Sequence, residues 1–182
     1  VIFGSGRWAK VYIKTVVEMV HDEVEIVCCS SYGHQSLLSW AREHGLNERI
    51  SVQKQISNAL SGESTVAIVC NAAKSHYLTV RNIISSNVPV LVEKPFCMYA
   101  SQLSELMDIS QKNGSNLFCA EVFKKSVPLN EFQKLVARQS QISEVSIAWH
   151  DKSNIFRHGD ISKYDSSVPI YKDCLPHIFA IF

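Results

Sequence analysis

A doubly wound α/β domain of about 120 residues, followed by the start of an α+β domain, is the fold class this sequence predicts. Three observations predict it. Short apolar runs alternate with segments of helical periodicity over the first two thirds of the 182 residues. Several of these runs are continuously apolar, as in strands covered on both faces. A pair of glycines stands where the first run gives way to the first periodic segment.

In chain order, Val1 to Phe3 is a strand stub. Trp8 to Val20 is helical, because Val11, Ile13, Val16, Val17 and Val20 recur at helical spacing. Val24 to Cys29 is the second strand, and Gln35 to His44 the second helix, stopped by Gly45. Ile50 to Gln53 is a weak third strand, and the run Val66 to Asn71 a buried fourth. A helix from His76 to Ser86 ends at Asn87, a residue that tolerates left-handed backbone. Pro89 to Val92, a helix Ser101 to Lys112 stopped by Asn113-Gly114, and a strand Leu117 to Val122 complete the pattern. Strands alternating with single helices imply βαβ units and a parallel sheet. Domain boundaries fall at 1–120 and 121–182. The second region carries a helix near Leu129 to Arg138, a long strand Ile142 to His150 with alternating Val145, Ile147 and Trp149, and a polar loop Asp151 to Ser167. An apolar helix-like run opens at His177.

Composition narrows the function. With 46% hydrophobic and 19% charged residues, 18 basic against 17 acidic and a net charge of +1, the chain has no electrostatic footprint for nucleic acid or an acidic membrane. Its longest apolar runs fall far short of the roughly 18 residues that span a bilayer. The chain opens inside a strand and closes inside an apolar run, and is read as an internal stretch of a longer protein. Cysteines 28, 29, 70, 97, 119 and 174 form no C-x-x-C pair, which points to reduced thiols in a cytoplasmic protein rather than to disulfides or a metal site.

Two motifs carry chemistry. Gly4-Ser5-Gly6-Arg7-Trp8-Ala9 lies between a strand and a helix. The first glycine permits a tight turn, the second lets backbone approach a pyrophosphate, and Ala9 lets helix pack on strand, while the helix N-terminus offers N–H groups to phosphate. The same spacing also suits a connection that needs glycine for geometry alone. Where the second strand ends, Ser30 and Ser31 stand, and no carboxylate occurs from Ile26 to Arg42. Serine hydroxyls there can donate to a 2'-phosphate, so NADP is favoured over NAD. Glu93-Lys94-Pro95 ends the fifth strand, at the edge where open α/β sheets bind ligands. Lys94 there can meet a nicotinamide ribose and polarise a substrate oxygen; a charge pair closing a strand is the plainer alternative.

With the segments Val66 to Asn71 and Asn87 to Phe96, and with Asp173-Cys174-Leu175-Pro176-His177, these motifs resemble the Gfo/Idh/MocA family of glucose-fructose oxidoreductases and inositol dehydrogenases. The resemblance implies a Rossmann domain followed by a substrate domain on an open, mostly antiparallel sheet. It also implies hydride transfer between NAD(P) and a sugar, polyol or related carbonyl or imine compound, in a homo-oligomer. Gly4, Ser5, Gly6, Arg7, Trp8 and Ala9 would hold the pyrophosphate region. Asn71 and His76 would lie on the loop beside the nicotinamide, and Glu93 and Lys94 would face cofactor and substrate. Asp173 and His177 would be the acid/base pair, and their i, i+4 spacing places both on one helix face if Pro176 falls in the first turn.

Ala73 stands where members carry proline, Lys124 where they carry arginine, and Leu175 replaces the glycine of the D-x-G-x-H element. These departures open a second class of function, a non-catalytic nucleotide-binding member with a regulatory or assembly role. The charged residues His150, Asp151, Arg157, His158, Lys163 and Tyr164 read by default as a solvated loop.

Overall fold

A computed structural model describes residues 1–20, 24–54, 60, 65–139, 141–150, 154–157, 160–163 and 166–180. The chain divides into two compact units, Val1–Cys119 and Ala120–Phe182.

In the first unit, six strands form one parallel sheet: β1 (Ile2–Phe3), β2 (Ile26–Cys29), β3 (Ile50–Gln53), β4 (Ala67–Val69), β5 (Val90–Val92) and β6 (Leu117–Cys119). Their spatial order is β3-β2-β1-β4-β5-β6. Between them run α1 (Arg7–Val20), α2 (His34–Glu43), α3 (Ala73–Ile83) and α4 (Ala100–Asn113). Strand pleat sends Ile2 and Cys28 to one face and Phe3 and Cys29 to the other. On the first face they pack with Ala9 and Ile13 of α1 and Leu37, Trp40 and Ala41 of α2. On the second, Val80 and Ile83 of α3 and Leu106 of α4 close over Phe3, Val69, Val90 and Val92. Helices thus cover both faces, as the continuously apolar runs require. The strand order reverses between β1 and β4, and their carboxyl ends open the crevice in which such sheets bind ligands.

Helix stops read from sequence hold: Asn87 has φ 54°, Gly45 68° and Gly114 67°, each left-handed just past a helix. Several boundaries move; β2 begins at Ile26 rather than Val24, and β4 ends at Val69 rather than Asn71. α3 begins at Ala73 rather than His76, because the alanine and lysine before His76 are themselves good helix formers. β6 ends at Cys119, and Val122–Lys125 turns into a 3₁₀ helix instead of extending the strand.

The second unit contains that 3₁₀ helix, α5 (Val127–Val136), an antiparallel pair β7 (Asn154–Arg157) and β8 (Asp160–Lys163), and α6 (Ile170–Phe179). Two expectations are corrected here. Residues 142–150 carry no strand; their alternation marks a face, but a strand exists only where a neighbour pairs with it, and none of the described residues does. Within the expected polar loop lies the β7–β8 hairpin, with Phe156 opposite Ile161. Asp151, His158 and Tyr164 lie outside the described residues, as do the side chains of Arg157 and Lys163.

Candidate functional site

The turn after β1 is built for close approach. Gly4 has φ 143°, and a Cβ there would stand 3.0 Å from the Cys70 carbonyl oxygen and 3.1 Å from the Asn71 nitrogen, so no side chain fits. Its N–H donates to Cys29 O at 3.0 Å, tying the turn to β2. A Cβ on Gly6, in contrast, would meet nothing within 4 Å. That open space lies at the N-terminus of α1, whose first N–H groups have no partner within the helix. Arg7 lays its guanidinium over the Trp8 ring, 5.5 Å from the centroid, and its buried Nη1 has no hydrogen-bond partner. A buried donor left unpaired is costly. An anion held above Gly6 answers both features, so these residues fit a dinucleotide pyrophosphate.

Across the switch point, Asn71 follows β4. Its Nδ2 donates to Thr79 Oγ1 at 2.8 Å, while its Oδ1 is buried without a partner and leaves an acceptor available. His76 lies in the first turn of α3, not on the loop. It is only 1% exposed, with Nδ1 2.8 Å from Pro95 O and Nε2 3.1 Å from Asn71 O. Both ring nitrogens therefore serve to tie the β4 and β5 turns together, which leaves none to meet a ligand.

Glu93 is likewise turned inward. At 6% exposure its Oε1 accepts from the Tyr12 hydroxyl of α1 at 2.7 Å, and its Oε2 faces the Lys94 backbone nitrogen at 3.2 Å. Its carboxylate acts on the scaffold, whereas the half-buried Lys94 stands at the carboxyl edge of the sheet. Burial, then the bond to Glu93, pushes the Tyr12 phenol well above its usual range. Sequence reasoning passed over Tyr12. The available signal was a polar-tipped aromatic on the helix that follows the glycine turn, but its partner lies 81 positions away.

At the β2 tip the serines are spent on the protein. Ser5 Oγ donates to Tyr32 O at 2.8 Å; Ser30 Oγ lies 2.9 Å from Ser5 Oγ and against the same carbonyl. Ser31 Oγ points to Lys54 O at 3.4 Å. Each hydroxyl has one hydrogen, and those of Ser30 and Ser31 are directed at protein acceptors, which gives the expected donation to a 2'-phosphate no support. Gly33 completes the knot: with φ 74°, a Cβ there would press to 2.6 Å from Ser5 Oγ.

The buried thiols are not nucleophiles. Burial pushes Cys28 and Cys70 up to about 12, the Glu93 charge adding to the effect at Cys70, and pushes Cys97 up to about 11. All six cysteines are free.

In the second unit, Asp173 and His177 stand one turn apart on α6, both half-buried. Because α6 starts at Ile170, Pro176 falls in its second turn and not its first. Two aromatic residues that the sequence did not single out frame the imidazole. Trp149 stacks on His177 at 5.5 Å with an interplanar angle of 8°, and Phe123 meets it edge-on at 4.7 Å. Lys124 pairs with Glu121 at 2.5 Å.

A glycine turn that admits no Cβ, at the switch point of a parallel sheet, agrees with what sequence comparison finds. The family model described as "Oxidoreductase family, NAD-binding Rossmann fold" matches residues 1–121. The chain belongs to the Gfo/Idh/MocA oxidoreductase family. Solved structures share its fold. GenD2 from gentamicin A biosynthesis, in complex with NAD, superposes with a TM-score of 0.65 at 17% identity, over 75% of this chain and 38% of that one. The probable oxidoreductase yhhX gives 0.64 at 17%, over 75% and 39%. Myo-inositol 2-dehydrogenase from Lactobacillus plantarum gives 0.62 at 14%, over 75% and 40%. The chain thus spans about two fifths of the length of these family structures. No curated protein sequence matches it. Among the described residues, no helix is long and apolar enough to cross a membrane.

Proposed function

We propose that this chain is the nucleotide-binding part of a dehydrogenase or reductase acting on a sugar, polyol or related carbonyl or imine compound. The observation that carries the reading is the Gly4–Gly6 turn, closed to side chains on the β4 side and open above α1, followed in the chain by Arg7, whose buried Nη1 is unpaired. When bound, the nicotinamide dinucleotide supplies or accepts the hydride. Gly4, Ser5, Gly6, Arg7, Trp8 and Ala9 hold its pyrophosphate region, and Asn71 offers its free acceptor to the nicotinamide end. Lys94 donates to a ribose or substrate oxygen. In the second unit, Asp173 orients His177, and the imidazole exchanges the proton. The residue ranges 1–120 and 121–182 are assigned cofactor and substrate roles, and the full-length protein is read as a cytoplasmic homo-oligomer.

NAD is the proposed cofactor: the family model describes an NAD-binding fold, and the hydroxyls of Ser30 and Ser31 are already engaged. Calorimetric titration of the full-length protein is expected to give saturable NADH binding at least as tight as that of NADPH. Tighter NADPH binding would reject the cofactor assignment, and no binding of either would reject the dinucleotide reading.

A second reading, a non-catalytic regulatory member, is favoured by one observation: Pro176 stands inside α6 between Asp173 and His177, where it removes a helix hydrogen bond. Turnover separates the two. Lys94→Ala and His177→Ala are each expected to lower kcat by about two orders of magnitude or more. Protein that binds NADH but turns over none of a panel of sugars and polyols favours the regulatory reading.

A further inference from the structure

A carboxylate buried as deeply as Glu93 persists only when its oxygens are hydrogen-bonded. Tyr12 supplies the bond to Oε1 at 2.7 Å, from the second turn of the helix whose N-terminus lies above Gly6. The other oxygen meets the Lys94 backbone nitrogen at 3.2 Å. A continuous path therefore runs from α1 through the Tyr12 hydroxyl and the Glu93 carboxylate to the backbone of Lys94. On the far side of the lysine, His76 grips the Pro95 carbonyl at 2.8 Å. Lys94 is thus fixed between two buried brackets, one of which is part of the dinucleotide helix itself.

We propose that Tyr12 is a positioning residue: through Glu93 it sets the place of Lys94 relative to α1, and so aligns the lysine with the nicotinamide half of a bound dinucleotide. The proposal rests on the reading that the first unit binds NAD. Its phenol stays a donor throughout the neutral range, since burial and Glu93 both hold the proton on oxygen. No part of this path reaches the adenosine side, where the Ser5–Ser30–Tyr32 knot stands alone.

That asymmetry gives the test. In calorimetric titrations of the full-length protein, Tyr12→Phe is expected to weaken NADH binding about tenfold while ADP, which lacks the nicotinamide, its ribose and their link to Lys94, changes by less than about twofold. In a Lys94→Ala background the same substitution is expected to cost NADH nothing further, because the residue it positions is gone. Equal weakening of both ligands would mean a general structural role, and unchanged NADH binding would mean no role; either overturns the proposal, as does full additivity with Lys94→Ala. Should the unsubstituted protein bind ADP and NADH equally, Lys94 makes no contact with the nicotinamide or its ribose and the positioning role falls while nucleotide binding stands. If it binds neither, the underlying reading fails.

Discussion

Gly4 and Gly6 are indistinguishable as letters of one motif, yet the structure gives them opposite tasks. Gly4 is demanded by the fold: φ 143° and a carbonyl 3.0 Å from any Cβ leave no alternative. Gly6 has empty space beyond its Cβ position, so its smallness serves whatever enters. Gly4→Ala is therefore expected to cost about 1–3 kcal/mol in urea unfolding and to weaken NADH binding together with stability. Gly6→Ala is expected to leave the unfolding midpoint nearly unchanged while weakening NADH about tenfold or more in calorimetry. Equal loss of stability in the two would refute the distinction. The thiols make a second prediction at this scale. Cys28 and Cys70 titrate near 9 when unfolded but near 12 in the core. The folded chain holds those protons where the unfolded chain has released them, so stability is full below pH 9 and declines as pH rises toward 12. Urea midpoints taken between pH 8 and pH 11 should fall steadily, and Cys70→Ala should flatten the fall. Residue roles were the least legible part of the sequence. The glycine turn and Lys94 announced themselves through local context, whereas Tyr12, Trp149 and Phe123 take their meaning from partners distant in sequence.

Elements were legible where one period ran uninterrupted. α1, α2 and α4 have the apolar spacing that the sequence carries, α2 and α4 also the stops, and β4 and β5 the continuous apolar runs of covered strands. Residues 142–150 failed for a physical reason: alternation records which side chains share a face, not whether a second strand supplies the hydrogen bonds. The β7–β8 hairpin was missed because its few apolar side chains, Ile155, Phe156 and Ile161, are diluted among charged neighbours. α6 carries the sharpest conflict between local preference and observed structure. Pro176 lacks the N–H that would bond back to Lys172 and crowds that carbonyl, a penalty of about 3 kcal/mol in a helix interior. Pro176→Ala is expected to recover about 2 kcal/mol of that in the local stability of α6, after allowance for the freer unfolded chain. Amide hydrogen exchange across residues 173–179 reads the effect, and unchanged protection would show that the helix tolerates its proline without strain.

At the scale of the whole molecule, the two units differ in how they are held together. Both apolar clusters of the first unit draw every member from residues 1–119, including Ile109 and Leu117 near its end. Among the described residues of the second unit, the buried apolar side chains are Val168, Cys174 and Ala180. Burial of apolar area is the main favourable term in folding, so the first unit has what it needs to stand alone, while the described residues of the second supply little. The predicted parallel sheet and its covered faces were readable from sequence, since they follow from patterns that local segments carry. A strand order of β3-β2-β1-β4-β5-β6 was not, because six parallel strands with right-handed crossovers admit several orders. That order is what gathers the pieces of the site: the turn after β1, Asn71 after β4 and Lys94 after β5 leave one edge of one sheet, and all belong to the first unit. A chain ending at Cys119 should therefore melt cooperatively and bind NADH within about threefold of the 182-residue chain. The segment 120–182 alone should show no cooperative transition by circular dichroism. A first unit that unfolds without its neighbour, or folds but loses NADH, would mean that the nucleotide site depends on the second unit.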